Sequence, residues 1–252
     1  MRNASNNEIK LLRKLARKKY REKERRFVVE GERAVEQVLE NGLVEVETVF
    51  VVEGKAISNQ LTAISVLIEE DVMVEVADTE NPQGILAVCK TPAEIEAEEL
   101  AKHPGIIVAT DAIQDPGNMG TILRTAAWFG AKALIAGKGS VDVYHPKVVR
   151  STAGATGSIP VMSGNLGEVF EELEKSGWEI LMLDGGAESV SLRTVQPKEK
   201  TVLVVGNEGN GISESLLASG RKKVRIESAH GQDKVESLNA AIAVSIALWG
   251  LQ

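Results

Sequence analysis

Cysteine is nearly absent: Cys89 stands alone among 252 residues. A lone thiol rules out an intramolecular disulfide framework and a thiolate cluster, and it fits a reducing compartment such as the cytoplasm. Histidine is scarce as well. His103, His145 and His230 lie far apart without metal-ligand spacing, so no metal site is expected. No apolar run approaches the roughly 20 residues of a membrane span, and the amino terminus is too charged to read as a secretory signal. Net positive charge is also lacking, with 36 acidic against 29 basic side chains and a formal charge of −7. Such a surplus disfavours a nucleic acid partner only if it is evenly spread, because phosphate binding needs clustered Lys and Arg.

It is unevenly spread. Residues 1–26 carry eleven basic and three acidic side chains, a local charge of +8, which leaves −15 on the rest. A cationic arm on an acidic body suggests either a polyanion-binding end or a solvated, partly frayed helix, and charge alone does not choose between them. Ile9, Leu12, Leu15 and Ala16 recur at helical spacing, which predicts an amphipathic helix over residues 6–20 with its basic face free.

The hydrophobic content of 43% is that of a globular protein with one large or two ordinary domains. A strand is predicted at Phe27 to Val29, then a helix with Val35, Val38 and Leu39 inward, stopped by Asn41 and Gly42. Val44 to Val52, Val72 to Ala77 and Gly84 to Lys90 read as strands, so residues 1–95 form a small α/β domain. Residues 96–104 lie in an acidic stretch bracketed by Pro92 and Pro104 and read as a linker with a helical turn or two. From 105 to 252 strands and helices alternate repeatedly, starting with the apolar run Gly105 to Asp111, which predicts a parallel sheet covered on both faces.

Ligands of such sheets gather at the carboxyl ends of the strands, and three loops there have unusual content. In DAIQDPGNMGTILRTAAWFGA (111–131), Asn118 can cap a helix and Arg124 interrupts an apolar segment; a capped core helix with a snorkelling arginine accounts for both equally well. In VLVVGNEGNGIS (202–213), Gly206, Gly209 and Gly211 let the backbone approach something closely, while Asn207 and Glu208 supply polar groups; a tight turn explains the glycines but explains Glu208 less well. In ESLNAAIA (236–243), Glu236 or Ser237 suits a helix start, whereas Asn239 falls inside the first turn beside Leu238, either satisfied by a neighbouring loop or aimed at a ligand.

Together the three loops, in this order and spacing, resemble the motifs of the SpoU (TrmH) family of RNA ribose 2′-O-methyltransferases within the SPOUT superfamily. FVVEGERAVEQVL and NPQGILAV resemble the ribosomal-protein-like substrate-binding domain that many members carry ahead of the catalytic domain. The resemblance implies an α/β catalytic domain with a deep trefoil knot, S-adenosylmethionine as cofactor, a homodimer through the carboxyl-terminal domain, and ribosomal RNA, preferably 23S, as substrate. It implies catalytic roles for Arg124, Asn118, Glu208 and Asn239. Gly206, Asn207, Gly209, Gly211, Ile226, Ser237 and Leu238 are implied to hold the cofactor, with no metal. RNA contact is expected through the arm and Arg124, helped by Lys147 and Arg150. Weakly catalytic RNA binding on the same fold, or transfer RNA as substrate, are the alternatives; a nucleotide-binding oxidoreductase lacks its GxGxxG after the Gly105 to Asp111 strand.

One departure stands out. Glu227 occupies a position where family members carry proline, and the loop before Ser237 is a few residues longer. Proline fixes φ and removes a donor, so this rim is expected to be less constrained.

Overall fold

The computed structural model describes residues 1–229 and 237–252, which fall into two units: Met1–Ala93 with Asp142–Ser158, and Glu94–Val141 with Ile159–Gln252. The first unit opens with α1 (Asn6–Leu15), started by a capping box in which Glu8 accepts the Ser5 N–H and Ser5 accepts that of Glu8. Hydrogen bonds from Arg2, outweighing desolvation, pull the Glu8 carboxyl down to about 2. The helix expected over 6–20 breaks at Arg17, which is extended, and α2 (Lys18–Glu24) begins anew. The reason lies in Arg21, whose Nη1 donates to the Leu15 and Ala16 carbonyls at the end of α1.

There follow β1 (Arg26–Glu30), α3 (Glu32–Asn41), β2 (Val46–Val52), α4 (Asn59–Thr62), β3 (Ser65–Ile68), α5 (Glu70–Val76) and β4 (Ile85–Lys90). The strands form one sheet in the order β1-β4-β2-β3, with β4 antiparallel to both neighbours and β3 parallel to β2. Of Val72 to Ala77, read as a strand, all but the extended cap Ala77 is helical: the apolar positions 72, 73 and 76 suit one face of a helix, and Glu70 and Asp71 complement its amino-terminal dipole. The sheet packs Phe50, Leu86 and Val88 against Leu12 and Leu15 of α1 on one side, and Val29, Ala87 and Cys89 against Val35 and Val38 of α3 on the other.

The chain enters the second unit through α6 (Ala97–Lys102), β5 (Gly105–Asp111), α7 (Pro116–Trp128) and β6 (Ala133–Gly137). It returns to the first unit for Asp142–Ser158, which contains α8 (Pro146–Ser151). Val149 joins the first unit's core, Tyr144 packs its ring 4.7 Å from that of Phe27, and Asn41 at the end of α3 donates to the Gly154 and Thr156 carbonyls. The excursion fits closely: a Cβ on Gly154 would lie 2.8 Å from that of Gln37. Alternation of strands and helices does not reveal this return, because it depends on long-range packing.

The second unit continues with β7 (Val161–Gly164), α9 (Leu166–Lys175), β8 (Glu179–Leu183), β9 (Val190–Ser191), β10 (Lys200–Gly206), α10 (Glu214–Leu217), β11 (Lys222–Arg225) and α11 (Ala240–Gly250). Its seven strands are parallel, in the order β7-β6-β5-β10-β8-β11-β9. Ile107, Ala109, Ile135, Met182, Val202 and Val204 pack against α6, α9 and α10 on one face, while α7 and α11 cover the other. This is the two-sided coverage expected from the near-continuous apolar strands. The order brings the carboxyl ends of β5 and β10 side by side, with Gly206 paired to Asp111.

Candidate functional site

Each strand end delivers a loop with one job. After β5, Asp115 caps α7 by accepting the Asn118 N–H at 2.7 Å, with Pro116 in the first turn. Asp115, rather than Asn118 as the sequence suggested, is therefore the cap, and the Asn118 amide is left to reach elsewhere. Its Nδ2 donates to Glu208 Oε1 at 2.8 Å, and its Oδ1 accepts from Asn239 Nδ2, also at 2.8 Å.

Asn239 is the cap of α11, not a residue inside its first turn: its Oδ1 accepts the N–H groups of Ala241 at 2.9 Å and Ile242 at 3.2 Å. The helix starts at Ala240 because Asn caps better than it continues a helix. Capping turns Nδ2 outward, which fixes its donation to Asn118. The three side chains thus form a one-way relay of donors, Asn239 to Asn118 to Glu208, and each amide has its orientation set by a partner at either end.

The loop carrying Glu208 is rigid. Asn207 and Gly211 exchange backbone hydrogen bonds at 2.9 Å in both directions. A Cβ on Gly206 would fall 2.1 Å from the Gly211 carbonyl carbon, so only glycine lets the loop fold back, and Gly211 itself has φ +69°. Asn207 Oδ1 accepts from Gly209 and Asn210 while its Nδ2 donates to the Ala112 carbonyl at 2.8 Å. One end of that side chain braces the loop internally and the other ties it to the turn after β5, where Ala112 itself adopts φ +54°.

Asp111, at the end of β5, closes the other side by accepting the Ser213 N–H at 2.7 Å. Sequence reasoning passed over Asp111 and Asp115. The available signals were an acid ending a buried strand and an acid directly before a proline.

Glu208 is exposed, and its hydrogen-bond partners among the described residues are the neutral amides of Asn118 and Asn207. Its charge is therefore uncompensated there, which suits a cationic ligand. Ser237 and Leu238 are exposed and Ile226 is half-buried. Glu227 makes a loose ion pair with Arg193 at 3.8 Å. Glu236 and His230 lie outside the described residues.

Arg124 is not brought to the relay. It is exposed on α7, one turn before Trp128 and so on the same helical face. Trp128 is 84% exposed and Trp249 is 74% exposed, with Ile242 and Ile246 exposed on the same stripe of α11. The two helices pack together, with Ser245 donating to the Thr125 hydroxyl at 3.4 Å. Arg124 thus belongs to an exposed α7 face that also carries a large apolar side chain.

The SpoU rRNA Methylase family matches residues 105–249, and the MRM3-like substrate binding domain matches residues 6–87. The chain is 35% identical over 252 residues to the 23S rRNA (guanosine(2553)-2′-O)-methyltransferase RlmP of Bacillus subtilis, covering 99% of this chain and 97% of that protein. Among solved structures it is similar to the AdoMet-bound rRNA methyltransferase of Sinorhizobium meliloti, with TM-score 0.85, 27% identity, and coverage of 100% of this chain and 96% of that one. It is also similar to the SpoU methyltransferase AviRb of Streptomyces viridochromogenes in complex with AdoMet, with TM-score 0.84, 26% identity, and coverage of 98% and 97%.

Proposed function

The chain belongs to the SpoU rRNA methylase family, and on that premise we propose that it transfers a methyl group from S-adenosylmethionine to a ribose 2′-hydroxyl of 23S ribosomal RNA. The observation that carries the reading is the relay joining Asn118, Glu208 and Asn239 from three separate loops into one site ending in a carboxylate that meets no cation among the described residues. That donor set fits the cofactor, whose sulfonium and ammonium groups are positive.

S-adenosylmethionine, when bound, supplies an already activated methyl whose sulfur loses its charge on transfer. The protein's own work is then orientation and help with one proton. Holding reactants in line contributes about 7 to 11 kcal/mol. Glu208 would hold the positively charged cofactor, Asn118 and Asn239 keep its carboxylate aimed, and the loop closed by Gly206 and Gly211 would offer backbone groups to it. Ile226, Ser237 and Leu238 would border the cofactor. A guanidinium is not deprotonated in proteins, so the 2′-hydroxyl proton does not pass to Arg124. Arg124 grips a phosphate of the target through two parallel hydrogen bonds and stabilises the developing 2′-oxyanion, while the 2′-hydroxyl proton leaves to that phosphate or to a water.

Two copies of the chain complete the site. The apolar stripe of Trp128, Ile242, Ile246 and Trp249 is a surface that a soluble monomer rarely leaves open, and Arg124 shares its face, so closing the stripe in a homodimer carries Arg124 into a shared interface. The deep trefoil knot of the SPOUT fold and work on ribosomal RNA in the cytoplasm complete this reading.

Incubating the protein with methyl-tritiated S-adenosylmethionine and unmodified 23S rRNA or transfer RNA tests it. Label at a single ribose of 23S rRNA is expected. Label confined to transfer RNA, or none in RNA at all, would overturn the proposal.

A further inference from the structure

Ten of the eleven cations of residues 1–26 separate into two sets, and the eleventh, Arg25, donates to the Pro92 carbonyl at 3.3 Å. Arg2 is bound to Glu8, Arg13 to Glu75, Arg21 to Asp142 and Arg26 to Glu47, all within the first unit. These four serve the fold. Lys10, Lys14, Arg17, Lys18, Lys19 and Lys23 are exposed, and their single ion pair among the described residues is that of Lys18 with Glu22 at 3.8 Å.

Arg21 decides where the open set is held. Its side chain is only 3% exposed, and Nε and Nη2 both reach Asp142 Oδ2, at 3.0 and 2.7 Å. Its remaining nitrogen holds the carbonyls that end α1, so one guanidinium fixes the elbow between α1 and α2 onto the start of the Asp142–Ser158 excursion. From there Asp142 Oδ1 accepts the Tyr144 N–H, and His145 caps α8 by accepting the Lys147 N–H at 3.2 Å. Burial, and after it the charge of Arg21, push the His145 imidazole down, with Lys147 acting in the same direction. Arg21 and Lys147 therefore lie within electrostatic reach of one histidine. Of the two cations in α8, both exposed, Arg150 pairs with Asp78 while Lys147 has no ion pair among the described residues.

The chemistry of the partner follows from what this surface lacks. A helix lying on a membrane needs a free apolar face, but Leu12 and Leu15 are buried in the sheet core, and the arm's one large exposed apolar side chain is Met1. What remains is a ridge of separate positive charges without an apolar stripe, suited to spaced phosphates. We infer that α1, α2 and the first turn of α8 form one surface for the RNA backbone, clipped together by Arg21 and Asp142. The inference rests on RNA being the substrate and adds where the protein holds it.

The test uses the full chain and a fluorescein-labelled RNA hairpin, with affinity followed against salt concentration. The triple variant K14Q/R17Q/K18Q is expected to bind more weakly and to show a logarithmic salt slope shallower by about 3, and Lys147→Gln one shallower by about 1. Lys55→Gln, changing an exposed lysine after β2, keeps the wild-type slope. An unchanged slope in the triple variant overturns the surface, and an unchanged slope in Lys147→Gln overturns its composite nature. Binding to phosphatidylserine vesicles as tight as to RNA overturns the choice of partner. Methyl transfer to 23S rRNA by the wild type, measured alongside, separates these outcomes from a failure of the functional proposal itself, which would abolish transfer in every variant and the wild type alike.

Discussion

The Glu208 carboxylate meets two neutral amides and no cation among the described residues, so its charge is available to a ligand instead of a salt bridge. Glu208→Gln keeps the shape and removes the charge. Hydrogen bonds to charged groups are worth about 1.5 to 3 kcal/mol, so calorimetric titration is expected to show S-adenosylmethionine binding weakened roughly ten- to hundredfold; unchanged affinity would remove Glu208 from the cofactor site. Arg124 poses the complementary question. Lysine retains the charge but cannot form the planar two-pronged grip. Arg124→Lys is expected to lower kcat about a hundredfold, as loss of an oxyanion donor does, while leaving cofactor affinity in place. A nearly wild-type rate would exclude the bidentate role.

Elements, not single side chains, give the loop its stiffness. β5 and β10 lie in register, Asp111 pairs with Gly206 through the ladder, and its carboxylate holds Ser213 at the loop's exit. Asp111→Ala removes the exit bond, worth about 0.5 to 1.5 kcal/mol, and is expected to raise the cofactor Kd roughly two- to tenfold. Asp111→Asn, which keeps an acceptor, stays near wild type. Equal losses in both would point to a role of the charge instead.

This scale is also where the sequence was most and least informative. The parallel sheet was legible because its strands are continuous apolar runs, and the three polar loops were legible because they interrupt such runs. Local pattern could not show that Val72 to Val76 is helical, since short apolar stretches suit either period. Nor could it show that Asn239 caps α11, because the deciding partners are Asn118, 121 residues away, and the helix's own amides. The break at Arg17 depends on the contact of Arg21 with Asp142, across 121 residues of chain.

For the whole molecule, the formal charge of −7 conceals two populations, an acidic body and an arm whose cations are partly committed to folding. The exposed stripe of α7 and α11 is the second large-scale feature. Trp249→Asp places a charge on it without disturbing the core, since Trp249 is 74% exposed. Light scattering is expected to give the mass of one chain for this variant and of two for the wild type. A dimeric variant would locate the contact elsewhere.

Whether the relay of three loops directs a methyl group to one ribose shows in a map of 2′-O-methylation across 23S rRNA from cells lacking the gene. One ribose is expected to lose its methyl group, and to regain it with the wild-type gene but not with Asn118→Ala. A full set of 2′-O-methyl groups in the deletion strain, or full restoration by Asn118→Ala, would contradict the account.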